Sequence, residues 1–249
     1  MTEEVVPGLI ELQTSVREFF GWDYQSDLSS ANLLTKSLNY AAPFGVDIWS
    51  PINRQRTLDR LKQKLHAAPK VVIVGASVSD EDFSDFDFDN SVVIAADGSI
   101  GGVDGLADIA CVVTDFDGNP HLDKAAKSDA IFIAHAHGDN VSKWQDCLDK
   151  WSALDHPPEL ILTHQVTESI DGIHNFGGFT DGDRAVCLAI SLGVAKEDIS
   201  LIGFSTTKIG KWSGQTNPAR KLEKLAWMLR ALQIIGLEGQ VRTNDLEVP

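Results

Sequence analysis

Six short apolar runs after position 70 constrain the fold of this chain more than any other feature of its sequence. They consist mostly of Val, Ile, Leu and Ala, and a strand of that kind has to be covered on both faces. Helical and polar stretches separate the runs, so the sequence predicts an α/β fold with an open, largely parallel sheet flanked by helices. The runs occupy positions 71–74, 92–95, 109–113, 131–133, 160–162 and 199–202.

The segment before these runs predicts an N-terminal helical region. Leucine and valine recur there with the spacing of one helix face, and Pro69 ends the pattern. The spaced residues are Leu9, Leu12, Val16, Leu58, Leu61 and Leu65. The chain has 249 residues, of which 43% are hydrophobic, which suffices for one large α/β domain with a smaller appendage. We therefore expect a helical region at 1–68, an α/β domain at 69–242 and a polar tail at 243–249.

Two helices in the second half of the chain have start and stop signals. Thr180 or Asp181 caps the first, and Gly193 ends it. An Asn-Pro pair at 217–218 begins the second, and Gly236 ends it. The predicted buried stripe of the second helix comprises Leu222, Leu225, Leu229 and Leu232.

The acidic composition argues against one class of function. A formal net charge of −15 does not suit sequence-independent nucleic-acid binding, in which Lys and Arg neutralise phosphates. Cys111, Cys147 and Cys187 lie far apart in apolar or helical stretches, so we expect neither a disulfide framework nor a Cys-rich zinc site. The sequence shows neither a charged-then-apolar leader nor an apolar run of membrane-spanning length. We expect a cytoplasmic protein that binds neither nucleic acid nor membranes.

Acidic residues stand where apolar runs end, and ligands of open α/β sheets bind at the carboxyl ends of the strands. Asp115 and Asp117 directly follow the run at 109–113. Two such carboxylates can share Mg²⁺ with substrate phosphates, so we predict metal or phosphate binding here. Asp is also a common turn former, which is the alternative interpretation. Asp97 and Gly98 follow the second run, and we interpret Asp97 as a contact to a ligand hydroxyl or ring nitrogen.

Gly75 and Ser77 follow the first run and form a short glycine turn. Backbone amides in such a turn can approach a phosphate closely. The sequence there contains neither the G-x-G-x-x-G pattern nor a P-loop, so a plain strand-to-loop turn fits equally well.

His135 and His137 follow the fourth run and would point the same way at the end of an extended strand. That arrangement could supply two metal ligands, but zinc needs a third or fourth nitrogen or sulfur ligand, and none stands at a recognisable spacing. We therefore favour contact with phosphate or with a metal-bound water, with Asp139 as an oxygen ligand.

A glycine pair and a polar run precede the helix predicted after Thr180. The glycines would let the backbone approach a ligand, and the guanidinium of Arg184 can bind phosphate oxygens in a bidentate manner. The alternative is a helix cap with acids that compensate the helix dipole. The candidate residues are Gly177, Gly178, Thr180, Asp181, Asp183 and Arg184.

Taken in order, these motifs resemble the archaeal 6-hydroxymethyl-7,8-dihydropterin pyrophosphokinase family, whose catalytic part is similar in fold to thiamin pyrophosphokinase. The resemblance covers about residues 70–236. It rests on the motifs at 96–98, 113–118, 135–140, 163–165 and 175–185.

The resemblance implies Mg²⁺-dependent transfer of diphosphate from ATP to the hydroxymethyl group of a reduced pterin, with release of AMP. It further implies that the loop at 177–183 lines the acceptor pocket and that a homodimer interface could contribute to that pocket. The implied catalytic residues and Mg²⁺ ligands are Asp115, Asp117 and Asp139. From the residues and the resemblance together, the predicted substrate- and nucleotide-binding residues are Gly75, Ser77, Asp97, Gly98, His135, His137, Asn140, Gln165, Gly177, Gly178, Thr180, Asp181, Asp183 and Arg184.

Other functions stay open at this point. A thiamin-type or other pyrophosphokinase, a nucleotide-sugar transferase and a nonenzymatic nucleotide-binding module would each fit parts of the pattern. The Thr-Asp-Gly-Asp-Arg run at 180–184 differs from the thiamin enzymes and favours a pterin acceptor. The sequence leaves open the oligomeric state, the number of metal ions, the general base and whether the pathway leads to tetrahydromethanopterin or folate.

Overall fold

The six apolar runs form the strands of one open sheet in the computed structural model. The strands are β1 (Lys70–Val74), β2 (Ser91–Ala96), β3 (Ile109–Thr114), β4 (Ile131–Ala136), β5 (Glu159–His164) and β6 (Ile199–Ile202). Their order is β5-β4-β3-β2-β1-β6, and all neighbouring pairs are parallel. The structure describes residues 8–84, 86–103, 105, 108–214 and 217–243. The predicted α/β class is confirmed.

The strand order creates a switch point between β1 and β6. From β1 the chain adds β2 to β5 on one side, and it then returns to place β6 on the other side of β1. Ligands of open α/β sheets bind in the crevice that such a reversal opens beyond the strand ends. Gly75 and Ser77 follow β1 and Gly203 follows β6, so these turns lie at that crevice.

Helices cover both faces of the sheet, as the continuous apolar strands require. The long helices are α1 (Leu9–Phe20), α2 (Tyr24–Leu38), α3 (Pro51–Ala67), α7 (Val141–Ser152), α8 (Asp181–Ser191) and α9 (Pro218–Ile235). The shorter ones are α4 (Asp80–Ser84), α5 (Ile100–Val103) and α6 (His121–Ala125). Within the described part of the chain, no helix combines the length and apolar character needed to cross a membrane. Cys111, Cys147 and Cys187 are buried and free.

The N-terminal region is helical, and its helices take part in the same core as the sheet. Side chains of α1 and α3 pack with α8 and α9 against one face, while α2 packs with α7 against the other. Trp49 is fully buried, and its indole N–H donates to the carbonyl of Pro158, just before β5, at 2.6 Å. Most of the predicted tail, 244–249, lies outside the described residues.

Both predicted helix starts in the second half are present. Thr180 and Asp183 form a capping box at α8, and the Asn217 side chain accepts a bond from Arg220 N at 3.2 Å to cap α9. Gly236 ends α9 with a φ of 84°. The predicted stripe of α9 needs a correction, because Leu222 is 40% exposed and burial begins only at Met228. The first turns of α9 line a pocket through Lys221, Lys224 and Leu225, and Leu222 is on neither the pocket nor the core side.

We expect Leu34→Ala to lower the free energy of unfolding by about 2–5 kcal/mol, because it leaves a cavity in the core where α2 packs on the sheet. Leu34 is fully buried, whereas the neighbouring Leu33 is 38% exposed. The matched control Leu33→Ala should change stability by less than about 0.5 kcal/mol. Urea unfolding of both variants measures this, and equal losses would contradict the packing of α2.

Candidate active site

Three carboxylates meet at the carboxyl edge of the sheet. Asp97 follows β2, Asp115 follows β3 and Asp181 begins α8, and one oxygen of each lies within 4.8 Å of the other two. Asp97 adopts a left-handed φ of 49° as the chain turns out of β2. Gly98 allows the backbone at Trp212 to approach, because a Cβ there would lie 2.3 Å from the carbonyl oxygen of Trp212. We call Asp97, Asp115 and Asp181 the acidic triad.

The triad concentrates negative charge in a poorly hydrated place. Burial, followed by the charge of Asp115, raises the pKa of Asp97 to about 7, although Thr114 Oγ1 donates to it at 2.6 Å. Burial and the charges of Asp115 and Asp97 raise the pKa of Asp181 well above its ordinary value. Burial acts to raise the pKa of Asp115 as well, but the hydrogen bond from His137 outweighs burial, and the pKa of Asp115 is lowered. The triad therefore favours a cation that would relieve the repulsion.

The donor atoms of the triad fit a divalent cation such as Mg²⁺. Asp115 Oδ1 and Asp181 Oδ1 are buried, and neither has a hydrogen-bond partner within the described residues. Unpartnered buried carboxylate oxygens are costly unless something binds them, and hard cations prefer such oxygen ligands. The residues present are thus suited to hold the metal that the motifs predict.

Asp117 and Asp139, the other predicted metal ligands, lie next to the triad and are not members of it. Asp117 forms an ion pair with Lys143, and burial and the charge of Asp115 raise its pKa. The Asp139 side chain is 90% exposed, and its Oδ1 lies 2.8 Å from His137 Nδ1. Asp97 and Asp181, which the sequence predicts as substrate contacts, lie with Asp115 in the triad, and their contact with substrate stays a prediction.

His135 and His137 lie close together but have opposite charge preferences. Burial acts to lower the pKa of His137, but hydrogen bonds to Asp115 and Asp139 raise it to about 9. Its Nε2 lies 3.4 Å from Asp115 Oδ2. His135 is buried, its Nδ1 lies 3.0 Å from Thr163 Oγ1, and burial lowers its pKa well below the ordinary value. At neutral pH the site thus contains a cationic His137 beside a neutral His135.

Asn140 connects the loops that follow β3 and β4. It is fully buried. Its Nδ2 donates to the carbonyls of His135 at 2.7 Å and Asp115 at 3.2 Å, while its Oδ1 accepts from His137 N at 3.0 Å. The Asn140 amide therefore fixes the backbone that presents Asp115 and His137, and the predicted phosphate contact by Asn140 stays a prediction.

Residues 177–184 have two roles: some cap α8, and others lie in the site. Gly178 has a φ of 81°, and a Cβ there would lie 2.8 Å from Arg184 N. The Asp183 carboxylate accepts from Phe179 N at 2.5 Å, from Thr180 N at 2.8 Å and from the Thr180 hydroxyl, so its oxygens are occupied by the cap of α8. Arg184 lies in the site, with Nη1 3.5 Å from Asp181 Oδ1.

A segment after β6 lies over the turn after β1, and sequence reasoning did not identify it. Ser77 Oγ donates to Lys208 O at 3.0 Å, and Trp212 N donates to Ala76 O at 3.3 Å. Gly210 approaches so closely that a Cβ would lie 1.8 Å from Ala76 O. The segment, residues 208–212, carries no recognised motif. Only its glycine and lysines could have indicated a close approach to a ligand turn.

Two lysines on α9 were also missed. Lys221 and Lys224 line the pocket that contains the triad. Burial lowers the pKa of Lys224, and the charge of Asp115 opposes that shift. Their three-residue spacing directly after the predicted helix cap could have indicated a cationic face that meets the acids.

The triad lines one pocket, and its member Asp115 also lines a second. The first is lined by the turns after β1 and β6, the triad, Lys221 and Lys224. The second is lined by residues from α1–α2, the loop after β4 and the start of α9, including Trp22, His137 and Arg220. Asp115, Asp117 and Lys224 line both pockets. This geometry suits a reaction in which two substrates meet at one charged centre.

Comparison with curated proteins found three archaeal relatives with the same name, 6-hydroxymethyl-7,8-dihydropterin pyrophosphokinase. The protein of Pyrococcus furiosus is 35% identical over 200 residues, which cover 76% of this chain and 82% of the relative. That of Methanothermobacter thermautotrophicus is 34% identical over 163 residues, covering 60% and 65%. That of Methanocaldococcus jannaschii is 28% identical over 185 residues, covering 70% and 69%. No family model matches the chain.

Fold and site together define an open parallel α/β protein with a cluster of three carboxylates beside two adjoining pockets. The similarity to the Pyrococcus protein extends over most of both chains. The chain belongs to the 6-hydroxymethyl-7,8-dihydropterin pyrophosphokinase family, and the predicted resemblance is confirmed.

We expect Asp97→Asn to raise the free energy of unfolding in EDTA at pH 8 by about 0.5–2 kcal/mol, because it removes a repelling charge. The amide keeps the acceptor for Thr114, and Asn tolerates a left-handed φ. In the unfolded chain this carboxyl ionises near a pKa of 3.8 and in the folded one near 7, so the wild type loses stability as the pH rises from about 4 to 7. The gain should therefore shrink at pH 5.

Urea unfolding with EDTA and with Mg²⁺ measures this prediction. Mg²⁺ should stabilise the wild type more than the Asp97→Asn variant, because binding to the folded state alone adds stability. Asp146→Asn, on the exposed surface of α7, is the charge-matched control and should behave like the wild type. A destabilised Asp97→Asn variant with an unchanged response to Mg²⁺ would contradict the cation site.

Proposed function

We propose that this protein is a 6-hydroxymethyl-7,8-dihydropterin pyrophosphokinase that transfers diphosphate from ATP to the hydroxymethyl group of the reduced pterin and releases AMP. Relatives that are named for this activity are similar to this chain over most of its length. The observation that carries the proposal on the side of the structure is the acidic triad between two adjoining pockets, which suits two substrates that react at a cation-bound phosphate.

In the proposed reaction the pterin hydroxyl oxygen attacks the β-phosphorus of ATP. A new oxygen–phosphorus bond forms, the bond from the β-phosphorus to the α–β bridging oxygen breaks, and AMP leaves with that oxygen. The hydroxyl proton passes to a nearby base. Such transfers require mainly positioning and charge stabilisation from the protein.

The chain provides both kinds of charge for this reaction. Asp97, Asp115 and Asp181 would hold Mg²⁺, which neutralises phosphate charge when bound. Lys221, Lys224 and the protonated His137 would face phosphate oxygens from around the triad. Arg184, buried beside Asp181, would add a planar guanidinium for bidentate contact. Asp117 and Asp139 would contribute oxygen contacts at the margin of the same centre.

Measurement of AMP formation tests the proposal directly. ATP and Mg²⁺ are incubated with the protein and 6-hydroxymethyl-7,8-dihydropterin, with thiamin in a parallel reaction. AMP release that depends on the pterin and fails with thiamin is the expected result. Release with thiamin alone would assign a thiamin-type enzyme, and no release with either acceptor would reject a pyrophosphokinase.

We expect Asp115→Asn to lower kcat by at least about 100-fold while the protein stays folded, because it removes a charged oxygen from the centre of the triad. Asp115 has one oxygen bonded to His137 and one without a hydrogen-bond partner in the described residues. AMP release together with circular dichroism and urea unfolding separates the two effects. A folded Asp115→Asn protein with the wild-type kcat would refute the catalytic role of Asp115.

Asp181→Asn and Asp139→Asn distinguish two possible sets of metal ligands. The triad geometry predicts that Asp181→Asn raises the Mg²⁺ concentration needed for half-maximal rate by about tenfold or more, and that Asp139→Asn changes it much less. Mg²⁺ titrations of AMP release compare them. The reverse order of effects would favour Asp139 as the ligand, as the sequence motif suggests.

A further inference from the structure

Asp27 of α2 binds two parts of the site at once. It is buried, and its Oδ1 accepts from Gly138 N at 2.8 Å while its Oδ2 accepts from Gln165 Nε2 at 2.8 Å. Gly138 lies between His137 and Asp139 in the loop after β4, and Gln165 follows β5. One carboxylate of the N-terminal region therefore joins two loops at the carboxyl edge of the sheet.

The contact continues from Gln165 to Arg184. Arg184 Nη2 donates to Gln165 Oε1 at 2.7 Å. Because a guanidinium only donates and a carboxylate only accepts, Gln165 must turn its oxygen to Arg184 and its amide N–H₂ to Asp27. The orientation of Arg184 thus depends on Asp27 through a single amide.

Arg17 of α1 contacts both Gln165 and Asp27. Its Nη1 donates to the Gln165 carbonyl at 2.8 Å and lies 3.7 Å from Asp27 Oδ2. Both side chains are buried. Further along, Arg184 Nε is buried without a hydrogen-bond partner in the described part of the chain. The guanidinium is therefore held by Gln165 at Nη2, has Nη1 beside Asp181, and retains an open donor at Nε.

We propose that Asp27 is a positioning residue for diphosphate transfer. It holds the Arg184 guanidinium, through Gln165, and the 137–139 loop, through Gly138, in the relative orientation in which both meet the phosphates of ATP. This inference rests on the proposed function of the site, since Arg184 and His137 line the pocket that contains Asp115. The N-terminal helices would then complete the active site in addition to covering the sheet.

The Asp27→Asn variant tests the orientation because it replaces one acceptor with an N–H₂ donor. If that donor faces Gly138 N, two donors meet there. If it faces Gln165, the amide has to turn over, and its own N–H₂ then faces Arg184, which has no acceptor. In either orientation one bond is lost, and we expect kcat/KM for AMP release to fall by about 100-fold, the size of effect that a misplaced catalytic group produces.

A second change should restore the bonds. In the double variant Asp27→Asn with Gln165→Glu, the carboxylate at 165 can accept from the introduced amide with one oxygen and from Arg184 with the other. The total charge is the same as in the wild type. Gln165→Glu alone places two carboxylates face to face and should also lose activity. We expect the double variant to recover kcat/KM to within about tenfold of the wild type, although each single variant is impaired.

Ala31→Gly is the matched control for loss of helix stability. Ala31 is fully buried on α2, one turn after Asp27, and the substitution loosens the helix without removing a bond of Asp27. It should lower the melting temperature and leave kcat/KM unchanged at a temperature where the protein is folded. An equal loss of activity in Ala31→Gly, full activity in Asp27→Asn, or no recovery in the double variant would each overturn the positioning role.

The dissociation constant of MgATP, measured by equilibrium titration of the same proteins, separates this inference from the proposed function. If the wild type binds MgATP but releases no AMP with the pterin, the proposed function fails. Weaker binding in both single variants and recovery in the double variant would then still support the role of Asp27. Equal affinities across the series would overturn it.

Discussion

Mutual repulsion among three carboxylates at one end of the sheet is the constraint around which the site is arranged. Asp97, Asp115 and Asp181 approach within 4.8 Å in a poorly hydrated place. A protein evolved for stability alone would separate such charges, and sites that keep them together generally do so for function. The surrounding cations follow from this, because His137 bonds to Asp115 and Arg184 lies beside Asp181. Each reduces the repulsion among the carboxylates, while Asp115 Oδ1 and Asp181 Oδ1 still lack a hydrogen-bond partner among the described residues.

The sequence predicts the strands well, and it indicates which candidate residues share one edge of the sheet, because both depend on local pattern. Each of the six strands is largely apolar, and a parallel sheet places whatever follows its strands at one edge. Asp97, Asp115 and His137 lie at that edge, as their positions after β2, β3 and β4 predict. Asp181 was also identified, but as a helix cap or substrate contact, since nothing in the neighbourhood of Thr180 shows that α8 begins beside β2 and β3.

The features that sequence reasoning missed all depend on contacts between distant segments. Lys224 meets Asp115 only because α9 crosses the carboxyl edge of the sheet, and Gly210 meets Ala76 only because β6 returns beside β1. Local spacing carries no information on such approaches. For Asp183 the pattern was compatible with both capping and ligand binding, and only the three bonds from Phe179 and Thr180 distinguish them. The exposed Leu222 has a similar origin, because helical spacing predicts which residues share a face and not what that face meets.

The N-terminal helices illustrate how a covering layer can also set the precision of a site. Groups that bind phosphate must be held within a fraction of an ångström, and loops alone seldom achieve this. Here the loop after β4 and the guanidinium from α8 have no direct bond to each other among the described residues, yet the loop bonds Asp27 directly and the guanidinium reaches it through Gln165. A carboxylate is suited to this task because its two oxygens accept from different directions. Since α2 is itself anchored in the core by Leu34 and Leu38, the rigidity of the sheet packing extends to the groups that surround the acidic triad.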